Sequence, residues 1–211
     1  MYRVYKHISK PEHSRAAREE LGISRDEIID SSTLRTLLHA GGLTQKMNTV
    51  IGSLIAEEGL WNEALDLAMS DNGQTAFRAS WALEWAYATN MDYFERFIPR
   101  FFTDYLAASN ESVNRVYSKM ACDMMRRGVL RLDDEQALMV AEKAFDLLVN
   151  PDTAVAVKVW QIELLSDLSC RIDWIEENLT EIVRIMSEKP DCTPAEAAHA
   201  RHYFRRLAKR R

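Results

Sequence analysis

Apolar residues recur every three or four positions along most of this chain, which is the spacing of one buried stripe per α-helix. Phe77, Trp81, Trp85 and Ala88 step in this way, as do Val113, Tyr117, Met120 and Met124, and then Val155, Val159 and Ile162. A second set alternates with the first: Tyr93, Phe97, Phe101 and Tyr105; Leu138, Ala141, Phe145 and Leu148; Ile175, Leu179, Ile182 and Met186. No run of five or more residues alternates strictly between apolar and polar with turns at both ends, so strands are not expected.

Capping chemistry marks the expected helix starts. Ser24 with Glu27, Asp92 with Glu95, Asp133 with Gln136, Asp173 with Glu176 and Thr193 with Glu196 all have the spacing of a capping box. Pro194 follows Thr193 at the first helical position, where its missing amide costs nothing. Gly41-Gly42, Asp71-Asn72-Gly73, Gly128, Asn150-Pro151-Asp152 and Lys189-Pro190-Asp191 punctuate the pattern. Pro99 either kinks its helix or marks the true start after a short turn. The expected helix pairs are 44–70, 73–108, 111–149 and 152–188, with a closing helix over 194–210. Residues 1–42 form an amino-terminal helical cap with helices around 14–21 and 24–40, and 43–211 form the repeats, the two making one structural unit.

Basic and aromatic residues recur together at a nearly fixed interval. Arg78 with Trp81, Arg115 with Tyr117, Lys158 with Trp160 and Arg201 with Tyr203 form a ladder whose basic members lie 37, 43 and 43 residues apart. Arg78 precedes its aromatic by three positions and the others by two, so the register slips by one residue. A helical period near forty residues, about the length of a two-helix repeat, predicts an all-α, right-handed α-α superhelix of about four helix pairs with terminal capping helices.

Composition narrows the function. The chain has 211 residues, 47% hydrophobic and 28% charged, with 7 Gly and 5 Pro, leaving little loop material. A formal net charge of −5 argues against a chain that lives on nucleic acid or anionic membrane. Cys122, Cys170 and Cys192 are odd in number and widely spaced, as in a reducing compartment. Met1 to His7 lacks the apolar stretch of a secretory signal, and charges such as Glu142 and Lys143 break every long apolar run, so a cytoplasmic location without a membrane span is expected.

The segment Thr75 to Glu84 and its echo at Ala154 to Trp160 resemble the first helices of HEAT or armadillo-like repeats, over roughly residues 44–210. The Arg78-Ala79-Ser80-Trp81 element is also similar to one in a small bacterial group often labelled adenylosuccinate lyase. The S-S-x-M-P-x-K-x-N loop of that lyase superfamily is missing from this sequence. The resemblance to HEAT repeats implies a concave surface built mainly from the second helices, at 91–108, 133–149 and 173–188, on which an extended partner lies.

Two functions compete for the ladder. Arg78, Arg115, Lys158 and Arg201 could track a phosphate backbone or acidic peptide, with Trp81, Tyr117, Trp160 and Tyr203 as stacking surface. Alternatively the aromatics are core and the basic stems lie along its edge, and stacked repeats favour this second account because they reproduce core positions with or without a ligand. Some HEAT-like proteins are DNA alkylation-repair glycosylases, and Trp81, Glu84, Trp85 and Asp123 supply the residue types that such chemistry uses. Salt-bridging or solvation explains the two carboxylates equally well. The carboxyl-terminal cluster Arg201, Arg205, Arg206, Lys209, Arg210 and Arg211 could dock an acidic partner, but cations also complement the end of a terminal helix. His199 and His202 make a poor metal site without a third ligand. Metalloprotease, phosphate-loop, dinucleotide and hydrolase motifs are missing, and no cofactor is expected. The expected function is a non-enzymatic protein-binding or scaffolding module, with a nucleic-acid-binding module as the alternative.

Overall fold

Residues 13–24, 26–40 and 44–210 are described by the structure, a computed structural model; the expected stop at Gly41-Gly42 and the reading of Met1 to His7 lie outside them. The order is α1 (His13–Leu21), α2 (Ser31–Ala40), α3 (Gln45–Glu58), α4 (Trp61–Ala68), α5 (Gly73–Thr89), α6 (Met91–Phe94), a single 3-10 turn (Glu95–Phe97), α7 (Ile98–Ala107), α8 (Glu111–Arg127), α9 (Asp134–Val149), α10 (Val155–Leu168), α11 (Asp173–Glu188) and α12 (Pro194–Ala208). Among the described residues there is no strand. Among the described residues no helix is long and apolar enough to cross a membrane.

Local chemistry explains most of these boundaries. Asp133 with Gln136 and Thr193 with Glu196 form complete capping boxes at α9 and α12. Three expected caps are corrected. Ser24 and Glu27 lie in a turn, and α2 begins later, where the Asp30 carboxylate accepts the Thr33 amide at 2.8 Å. Asn90 caps α6 ahead of Asp92, and Asp173 sits inside α11 after Ile172, which makes no side-chain cap. Asx side chains won at Asp30 and Asn90 because they reach the amide three residues on from an extended or turn backbone. Pro99 falls at the start of α7, after the 3-10 turn, so it opens a helix and kinks none. Gly59 and Gly128 end α3 and α8 with positive φ, where a side chain would be strained.

The chain divides into two compact units, Met1–Asp123 and Met124–Arg211, the division falling within α8. In the first unit α5 packs against α3, α4 and α2. α1 packs on α3 and α3 on α5, while α2 packs on α4. The Arg18 guanidinium grips Glu58 at 2.6 and 2.8 Å, joining α1 to the end of α3. Lys119 pairs with Glu84, and the Tyr87 hydroxyl donates to Asp123 at 2.5 Å, joining α8 to α5. Arg100 of α7 reaches Asp66 of α4 at 2.6 Å. A run of aromatic contacts fills the interior: Trp61 meets Phe94 at 5.6 Å, Phe94 meets Phe101 at 5.8 Å, and Phe101 meets Tyr117 at 4.9 Å.

α3 and α5 approach so closely that only glycine fits at position 52. A Cβ there would lie 2.5 Å from the Trp85 Cβ, 2.8 Å from the Ala82 carbonyl oxygen and 2.9 Å from the Ala86 nitrogen. Two of these three are backbone atoms, which cannot swing aside. The contact explains why α5 is buried on nearly every side, with Ala76, Ala79, Ala82, Leu83 and Ala86 all inaccessible, while Phe77, Trp81 and Trp85 are half-buried. The expected stripe of large side chains is thus the edge of the α5 interface and the alanines are its centre.

In the second unit α10 packs against α9, α11 and α12. A ring of charge closes this packing. Arg126, at the end of α8, binds Glu163 at 2.6 Å and Asp167 at 2.7 Å, and Arg206 of α12 binds the same carboxylates at 2.5 and 3.0 Å. Burial alone would raise the Glu163 pKa, but Arg126, Arg206 and His202 together hold it below the usual carboxylate value.

Two outcomes test this packing. Gly52→Ala should destabilise the protein by about 1–3 kcal/mol or more, the range for overpacking, read as a lower urea midpoint by circular dichroism. The second concerns Glu57, whose carboxyl is pushed up to about 7 by burial and by neighbouring Glu58. The unfolded chain releases this proton near the ordinary carboxylate value, so the folded state holds more protons between there and neutrality, and stability falls as pH rises through that window. Glu57→Gln should therefore match the parent near pH 4.5 and exceed its urea midpoint at pH 8.

Candidate docking groove

α9 and α11 each bury one narrow stripe. Ala137, Val140, Ala141, Ala144 and Leu148 line the packed side of α9, and Ile175, Leu179 and Val183 that of α11. The remaining faces are unusual for a solvent surface. Among the described residues seven large hydrophobic side chains are exposed, and five of them, Leu138, Met139, Val149, Trp174 and Ile185, belong to these two helices. Scattered exposed apolar residues are ordinary, but a concentration of them marks an interaction surface.

A groove of about 330 Å³ runs between the helices, lined by Glu142, Phe145 and Asp146 of α9 and Trp174, Asn178 and Ile182 of α11. Positions 138, 142, 145 and 149 on α9, and 174, 178, 182 and 185 on α11, step by three or four, so each set forms one helical stripe. The Phe145 and Trp174 rings stack at 5.6 Å with 26° between their planes. Asn178 donates to the Trp174 carbonyl at 2.8 Å. Trp174 still exposes 45% of its surface.

The electrostatics are one-sided. α9 carries four carboxylates against Lys143 alone, and α11 carries five against Arg184 alone, a net of −7 where the whole chain has −5. Neither cation offsets the groove freely. Arg184 binds Glu181 and Glu188 at 2.6 and 2.7 Å, and burial pushes the half-buried Lys143 ammonium down to about 8.

Two other hollows are larger but chemically weaker. One of about 480 Å³ is lined by Arg126, Arg131, Arg171 and the exposed Cys170. Its arginines are already used: Arg131 donates to the Gly128 carbonyl, Arg171 to the Leu132 carbonyl and Asp134, and Arg126 to the charge ring. The other, about 370 Å³, lies in the first unit among Ser70, Gly73, Ser109 and Asn110. Asn110 there caps the amides at the start of α8.

The ladder residues take mixed positions. Arg78 is half-buried and donates to the Leu38 carbonyl at 2.8 Å; Trp81 stacks on Phe77 at 5.9 Å. Arg115 is half-buried, while Tyr117 is inaccessible against Phe101. Lys158 is 9% exposed and Trp160 half-buried. Arg201 is exposed, and Tyr203 is buried with its hydroxyl 2.8 Å from Thr180. Glu84 and Asp123 are buried and bonded to Lys119 and Tyr87. His202 lies 3.4 Å from Glu163, and partial burial, outweighing the nearby Glu163, keeps the His199 imidazole below its ordinary value. From the terminal basic cluster, Arg206 joins the charge ring and Arg210 donates to the Ser166 carbonyl of α10 and to the hydroxyl of Ser169 just after it; Arg211 lies outside the described residues. Arg201, Arg205 and Lys209 face solvent.

The sequence reading singled out the second helices but missed Trp174 and treated Leu138 as buried. The signal was present in the local charge balance, since no other pair of helices combines so many carboxylates with so few cations. No known protein family, curated protein or solved structure matches this chain.

Proposed function

We propose that the protein is a HEAT/armadillo-like helical repeat, its helix pairs wound in a right-handed superhelix, and that it serves as a protein-binding module of the cytoplasm through the face formed by α9 and α11. One observation carries the functional part: five of the seven exposed large hydrophobic residues lie on that face. Repeat character is supported by polar links joining residues about one repeat apart, from 34 between Asp66 and Arg100 to 44 between Ser166 and Arg210. Three free thiols fit a reducing compartment. Binding of nucleic acid is the weaker alternative, because Tyr117 and Tyr203 are buried and Lys158 nearly so, which removes stacking surface and charge from the ladder.

Comparative capture tests the choice. Protein partners recovered by the parent should be lost with Trp174→Ala or Ile182→Asp and retained with Arg115→Ala or Arg201→Ala. A salt-sensitive shift of generic DNA at physiological ionic strength, abolished by the two basic substitutions, would instead establish the nucleic-acid function.

A further inference from the structure

Resting on the docking function just proposed, we infer that the groove is an arginine receptor: its partner is a basic amphipathic peptide segment that lays an arginine guanidinium on Trp174, between the carboxylates of Glu142 and Asp146. The Trp174 side chain is 45% exposed and its ring stacks on Phe145 at 5.6 Å. A planar cation gains most from such an aromatic face, and its fork of N–H donors suits carboxylates beside it. Glu142 and Asp146 are both exposed and line the same groove as Trp174.

Charge complementarity singles out the occupant. A net of −7 over α9 and α11 repels acidic segments and concentrates basic ones. The chain's own cations do not fill the role, since Arg184 is spent on Glu181 and Glu188. Along the same stripes Leu138 and Val149 continue α9, and Ile185 continues α11, beyond the charged centre. The partner therefore needs apolar residues flanking its arginine at helical spacing.

The probe is a fluorescein-labelled helical peptide of leucines and arginines, titrated with the full chain by fluorescence anisotropy. Three analogues replace each arginine by neutral isosteric citrulline, by lysine or by glutamate. The arginine peptide should bind at least tenfold more tightly than the citrulline and lysine forms, and the glutamate form should not bind. Trp174→Ala and Glu142→Gln/Asp146→Asn should each weaken the arginine peptide about tenfold, with unchanged circular dichroism. Glu135→Gln/Glu177→Gln removes equal charge from the same helices outside the groove lining and should have little effect; an equal loss there reduces the interaction to diffuse electrostatics and overturns the receptor. Citrulline or lysine peptides binding as tightly as arginine, yet still sensitive to Trp174→Ala, overturn the guanidinium assignment and leave the docking function standing. Failure of every peptide, or binding indifferent to Trp174, overturns the receptor as well, and the docking function then rests on the capture experiment alone.

Discussion

Each described helix buries an apolar face against neighbouring helices that it could not bury alone. Within the first unit that constraint sorts helices into two layers, α1, α3, α5 and α8 against α2, α4 and the α6–α7 segment, through contacts such as Gly52 on α5 and Trp61 on Phe94. Polar links follow the same rule. Arg18 to Glu58, Glu84 to Lys119 and Arg126 to Asp167 span 40, 35 and 41 residues, so partly buried charges are paired between packed helices and are not left to pay desolvation alone.

The candidate groove is what this arrangement leaves over. α10 is covered by α9, α11 and α12 and is buried on most of its circumference. α9 and α11 need bury only the side turned to it, which frees their other faces from packing constraints. On those faces stability would favour mixed charge and small polar residues. They instead carry Leu138, Met139, Trp174 and Ile185 inside an excess of carboxylates, the composition on which the proposed docking function rests.

Helix pairs were legible from apolar spacing because amphipathic periodicity and turn residues agree at 44–70, 111–149 and 152–188. Capping was legible where the side chain lay directly before the helix, as at Asp133 and Thr193. It was not at α2, where Asp30 outcompetes Ser24, since both satisfy local rules and only the packing of Leu34 and Leu38 fixes the start. Burial was harder still. In α5 the large residues sit at the interface edge and the alanines at its centre, because close helix approach selects small side chains, which hydrophobicity ranks low. Trp174 lies outside the stripe of Ile175, Leu179, Ile182 and Met186, so apolar spacing gives it no role, and only the surplus of carboxylates on its helix marks its face.

Assignment of the outer face of α9 and α11 to a partner requires that this face contribute little to folding. Urea denaturation of a variant carrying Leu138→Gln, Met139→Gln, Trp174→Gln and Ile185→Gln measures this directly. Stability within about 2 kcal/mol of the parent is the expected result, since four surface substitutions away from packed features usually each stay within about 0.5 kcal/mol. A loss of several kcal/mol would show that these side chains are packed parts of the fold, and would contradict the assignment of this face to a partner.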